Sequence, residues 1–170
     1  MSVHIANVLL ESCESIAERS SPFECCGFLL GTWFRSDKDV KAIVPAVNVA
    51  EDSQRHQRYL ISSEDFVRCQ QTAWQNRWQI VGFYHSHPNA PSEPSKIDLL
   101  YAWPWYVYLI LSVCGKSCTV SAWRLHENRR GFYRERLVPK KIINMSQHRE
   151  RDRFCNPPMK LSVKSLPTSA

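Results

Sequence analysis

The spacing of apolar residues changes along the chain, and each change marks an element. Ala6, Leu9, Leu10, Cys13, Ile16 and Ala17 recur at helical spacing, so Val3 to Ala17 reads as one amphipathic helix, stopped by Ser20-Ser21-Pro22. Phe28 to Phe34 and Lys41 to Val47 are β-prone runs around the polar turn Arg35-Ser36-Asp37-Lys38-Asp39, which predicts a pair of strands. Ala50 to His56 is a charged loop, and Ser62-Ser63-Glu64-Asp65 then caps a second helix expected to reach about Asn76. Gln79 to Tyr84 is a short apolar run rich in β-formers, which reads as a buried strand. A short helix through Leu99, Leu100 and Tyr101 follows, and Tyr106 to Val113, Thr119 to Leu125 and Gly131 to Val138 predict three more strands. The order implies an α/β (α+β) domain, a mixed sheet flanked by helices.

The buried run ends in His85-Ser86-His87-Pro88. On a strand, residues two apart project from the same face, so both imidazoles can reach one ion. Pro88, Pro91 and Pro94 stiffen the loop that follows, and Ser95-Lys96-Ile97-Asp98 opens the next helix with Asp98 in its first turn. Two histidines and a carboxylate are the three protein ligands of a catalytic zinc site, in which the fourth position is left to water. Each part has an ordinary explanation on its own. A His-x-His pair can simply be polar at a strand end, and Ser-x-x-Asp is the pattern of a capping box. Their conjunction across a proline-stiffened loop favours the metal.

A bound zinc lowers the pKa of its water to about 7 and polarises a carbonyl. A base is then required, and the best candidate is Glu24, at the mouth of the apolar, glycine-punctuated segment Cys25 to Gly31. A carboxylate entering a buried strand is costly without a partner. The adjacent Cys25 and Cys26 raise a rival, a thiol nucleophile, but small apolar thiols also suit alternate core positions of a strand.

These residues together resemble the JAMM (MPN+) metalloprotease motif: Pro-x-Glu-x-x-Gly at Pro22 to Gly27, then His-Ser-His-Pro, then Ser-x-x-Asp after seven intervening residues. The likeness is to the short, free-standing bacterial and archaeal members and covers about residues 3 to 137. Asn48, Arg58-Tyr59-Leu60-Ile61 and Ala102-Trp103-Pro104 add secondary matches, while Ser86 and Asn89-Ala90 differ from the DNA-repair-associated branch. The resemblance implies an MPN fold with a mixed, curved sheet. It also implies one zinc per chain on His85, His87 and Asp98, Glu24 as general base, and Ser95 as the hydrogen-bond donor to the developing oxyanion. Family members cleave peptide or isopeptide bonds at the C-terminus of ubiquitin-like proteins, and some small ones trim sulfur carrier proteins, in places for cysteine synthesis. A non-catalytic MPN scaffold is the alternative, but inactive relatives usually lack a ligand and this chain has all three.

Composition and charge refine the picture. The 170 residues suffice for one domain with its own core. No apolar run is long enough to span a bilayer and Met1-Ser2-Val3-His4 lacks a basic leader, so a cytoplasmic home is expected. An odd count of seven cysteines at irregular spacing suits reduced thiols better than a disulfide framework. The net charge of +6 belongs mostly to residues 139–170, which read as a basic, disordered tail beyond a domain of residues 1–138. Nucleic-acid binding through that tail is a weaker reading than a solvated extension. Trp103, Pro104, Trp105 and Tyr106 could wall a peptide groove, but aromatic residues are more often core, and they stay outside the expected site.

Overall fold

The computed structural model describes residues 1–115 and 117–141. The expected tail lies almost wholly outside them. The elements are β1 (Ser2–Ala6), α1 (Asn7–Ser20), β2 (Cys26–Phe34), β3 (Asp37–Ala46), α2 (Ser63–Gln75), β4 (Gln79–Pro88), α3 (Lys96–Tyr101), β5 (Val107–Cys114), β6 (Ser117–Leu125) and β7 (Phe132–Lys140).

The mixed sheet is as expected, but it closes on itself as a barrel in the order β1-β3-β2-β4-β5-β6-β7 instead of remaining an open curved sheet. The closing piece is β1, which the helical spacing had absorbed into the first helix. Its residues alternate between buried and half-buried. Val3 and Ile5 lie opposite Lys38 and Val40 of β3 and opposite Leu137 and Pro139 of β7, parallel to both strands. A five-residue strand adjoining a helix carries too few alternations to stand out from a 3.6-residue period, and only its two neighbours reveal it.

Both faces of the sheet are covered. Leu29, Val40, Val81, Leu109 and Leu111 pack with Cys13 and Ala17 of α1, whereas Phe28, Leu30 and Ile80 pack with Cys69 and Ala73 of α2. Strands covered on both sides need continuous apolar runs, which is why β4 and β5 show no polar alternation. Gly82 admits β5 closely, since a Cβ there would meet the Val107 carbonyl. Ser62 caps α2 by accepting the Asp65 N–H at 3.0 Å, at the start the sequence predicts.

Candidate metal centre

Register along β4 decides what meets what. Cys26 of β2 lies opposite His85, and Phe28 opposite Phe83, so these residues share the face that also carries α2. One step further, the Cys25 N–H donates to Ser86 Oγ at 2.9 Å and the Ser86 N–H donates to the Cys25 carbonyl at 3.1 Å. Ser86 thus turns away from the histidines and stitches the segment leading into β2 to β4. By the same alternation Glu24 falls across from His87, on the face of both imidazoles.

Three donor atoms converge there. The Nε2 atoms of His85 and His87 are 3.0 Å apart, and Asp98 places one carboxylate oxygen 3.1 Å from the first and the other 3.4 Å from the second. Zinc bond lengths imply an edge of about 3.4 Å between neighbouring donors of a tetrahedral site. The observed spacings therefore fit one zinc-sized ion. Among the described residues these three form a group able to hold a metal, and Glu24 is not part of it.

The surroundings fix each ligand. His87 Nδ1 lies 3.0 Å from the Pro91 carbonyl, an acceptor, so that nitrogen carries the proton and Nε2 is free to ligate. The proline loop supplying this carbonyl is held to β6, since Trp123 Nε1–H donates to the Ser92 carbonyl at 2.9 Å. Tyr59 stacks on His85 with ring centres 4.6 Å apart. Ser95 caps α3 in a capping box: its Oγ accepts the Asp98 N–H at 3.1 Å and its own N–H donates to Asp98 Oδ2 at 2.7 Å. The cap therefore orients the ligand, and because Oγ accepts in it, the hydroxyl proton remains available to another acceptor.

Electrostatics separate the two acids. Burial raises Asp98, but His85 and His87 hold it far below the usual carboxylate range, so it is an anion. Glu24, 6% exposed, is pushed up to about 8 by burial, with the Asp98 charge adding and His87 opposing. Burial lowers His85, whereas the Asp98 contact and the Pro91 carbonyl raise His87 against its burial. The neighbouring thiols move the other way from a nucleophile's needs: burial raises Cys25, and pushes Cys26 up to about 12. The Cys114 and Cys118 thiols are free.

One residue that the motif reading treated only as a likeness ties the site together. Asn48 Nδ2 donates to the carbonyls of Glu24 and Arg58, both at 3.0 Å, and its Oδ1 accepts the N–H groups of Ala50 and Leu60 at 3.0 and 3.1 Å. The Glu24 N–H donates to the Arg55 carbonyl at 2.8 Å. The charged loop thus forms a strap that holds the Glu24 backbone and presents Tyr59 to His85. An asparagine between a strand and a turn was the available signal. Ser86 and Tyr59 left none, because their roles depend on pairing and stacking across the fold.

A cavity of about 540 Å³ opens beside the centre, lined by Glu24, Ser95 and Asp98 at one end and by Tyr59, Phe66, Phe83 and Trp103 along its wall. Trp103 and Trp105 are not core, contrary to the expectation, being 67% and 66% exposed, whereas Tyr106 packs against the core beside Phe83. α3 ends at Tyr101, and the turn that follows leaves these rings at the surface.

Of the five expected site residues, Glu24, Ser95 and Asp98 line the cavity, and His85 and His87 join the site through their contacts with Asp98. Comparison with known proteins bears on the family. Residues 7–126 match the model for prokaryotic homologs of the JAB domain. A desampylase from Haloferax volcanii is 36% identical over 106 residues, covering 60% of this chain and 70% of the relative. The solution structure of a Desulfitobacterium hafniense protein superposes with a TM-score of 0.74 at 23% identity, covering 87% of this chain and 99% of that one, which speaks for the fold. A Salinibacter ruber protein superposes with a TM-score of 0.61 at 32% identity, covering 82% and 92%. With the motif, the barrel and the family match in accord, the chain belongs to the prokaryotic JAB-domain family, a JAMM-type member.

Proposed function

We propose that this protein is a zinc-dependent hydrolase that cleaves a peptide or isopeptide bond at the C-terminus of a ubiquitin-like or sulfur carrier protein. The observation that carries the reading is the convergence of three ligand atoms beside a buried, proton-binding Glu24 at the end of an apolar cavity. The desampylase relative supports the class of bond.

His85, His87 and Asp98 would hold the metal, which when bound supplies a water of lowered pKa and polarises the scissile carbonyl. Glu24 sits across from His87, where it can accept a proton from a nucleophilic water and return it to the leaving nitrogen. Its depressed acidity in the free site suits both steps, and a cation beside it would restore the anion needed for the first. The Ser95 hydroxyl, at the cavity edge, donates to the oxygen that gains charge as the carbonyl is attacked. Tyr59 and Phe83 exclude water from that end of the cavity.

The test begins with elemental analysis of protein purified without added metal, beside His87→Ala. About one zinc per chain is expected in the parent and none in the variant. Hydrolysis of tail peptides and of carrier fusions by the zinc form should follow. Absence of zinc in both proteins after reconstitution would leave a binding module instead of an enzyme.

A further inference from the structure

The chain segment between α3 and β5 keeps two large rings, Trp103 and Trp105, out of the core. Trp33 is 42% exposed and joins Trp103 and Trp105 around a second hollow of about 520 Å³, completed by Gln79, Ile80, Pro104 and Tyr106. Trp105 has φ +72°, a conformation unfavourable for a bulky side chain. Its carbonyl accepts a hydrogen bond from the ammonium of Lys38, which is only 2% exposed and lies 4.7 Å from the centre of the Trp33 ring. Trp103 is held at both backbone groups by the buried Tyr108, whose hydroxyl accepts from its N–H at 2.6 Å and donates to its carbonyl at 3.2 Å. The backbone that carries Trp103 and Trp105 is thus fixed in place, which lowers the ordering entropy that a patch on a flexible loop would lose on binding.

Trp103 and Tyr106 also line the cavity of the metal centre, so the hollow continues that cavity. Resting on the hydrolase reading above, we propose that the Trp33–Trp103–Trp105 hollow is a second contact site for the same polypeptide tail, seating one apolar side chain remote from the scissile bond. Its distance follows from β4: Ile80 lines the hollow and His85 the metal centre, five strand residues or about 16 Å apart. An extended tail spans that in about five residues. The chemistry selected is aliphatic or aromatic, since rings, Ile80 and Pro104 make up the lining apart from Gln79 and no charged side chain lines it.

The test uses internally quenched peptides with Gly-Gly at the scissile bond, lengthened one residue at a time towards either end, with Leu or Asp at the newest position. The zinc-loaded parent should gain about five- to tenfold in kcat/KM, through KM, when Leu is added about five residues out in one direction, and Asp should give no gain. Trp105→Gly should abolish that gain without lowering the melting temperature, because glycine accepts the positive φ; Trp33→Ala should abolish it too. A ring that merely stabilised the fold would instead lower the melting temperature and affect all lengths equally, which overturns the proposal. So does a gain that survives in both variants, or a parent dimer that dissociates in Trp105→Gly, which would assign the hollow to a second copy. A separate titration follows tryptophan emission of metal-free protein with the longest Leu peptide. If the parent cuts nothing, a saturable change lost in Trp105→Gly sustains the docking site while the hydrolase reading falls, and no change removes both.

Discussion

Two groups of buried charge lie at opposite ends of β2, and they are resolved in opposite ways. Near Trp33, Glu135 takes the Arg124 guanidinium at 2.9 Å and the Met1 ammonium at 3.2 Å, and Arg124 also reaches Glu127 at 2.7 Å. Each acid there meets a base from this chain. Near Cys26, the Glu24 and Asp98 carboxylates face two imidazoles whose own donor nitrogens point at the same spot. His85 Nδ1 is buried without a partner. The first group pairs acid with base, while the second gathers ligand-type atoms of His85, His87 and Asp98 that could hold a metal. Burial alone does not mark a functional site, and the difference lies in whether opposite charges pair off or several ligand-type atoms converge.

The strongest way to break this contrast is to remove the anion that the histidines share. Asp98→Asn should leave no bound zinc and no measurable hydrolysis, read by elemental analysis and peptide turnover, while the barrel persists by circular dichroism. Glu24→Gln should retain zinc and lose about 10²- to 10⁴-fold in kcat, the usual contribution of a general base. Full activity in that variant would move the base elsewhere. Asn48→Asp replaces a doubly donating amide with an acceptor facing the Glu24 and Arg58 carbonyls. About a tenfold fall in kcat with zinc retained is expected, and a change confined to KM would show that the strap binds substrate without aligning Glu24.

A last test, on stability and not on turnover, addresses the far end. Burial, with Arg124 adding to it, lowers Lys38 from 10.5 to about 7. Below pH 7 the folded protein carries a poorly solvated ammonium. Between about 7 and 10.5 the folded state is neutral there and the unfolded state still charged, so unfolding takes up a proton and stability rises with pH. Lys38→Met should therefore be more stable than the parent at pH 6, and its advantage should shrink by about 2 kcal/mol at pH 8.5. Parallel denaturation curves for the two proteins across that range would contradict a depressed Lys38.

Most elements and the clustering of His85, His87 and Asp98 were readable because they depend on short-range periodicity. β4, β5 and the caps at Ser62 and Ser95 follow from apolar runs and local hydrogen bonding, and His85 and His87 need only strand alternation to share a face. β1 was hidden because five residues beside a helix offer too little period to count. The exposure of Trp103 and Trp105 was hidden because an aromatic pair gives no sign of which way its turn faces.

What the amino-acid sequence determined by itself is the chemistry: two imidazoles, two carboxylates and a serine in an order and at spacings suited to one metal. Only the tertiary structure decided that Glu24 stands across from His87, that Asn48 secures it, and that β1 closes the barrel. Ligand spacing is local and survives in one dimension. Strand register, closure and the meeting of a loop with a distant backbone are set by contacts between residues far apart in the chain, and no periodicity within a segment encodes them.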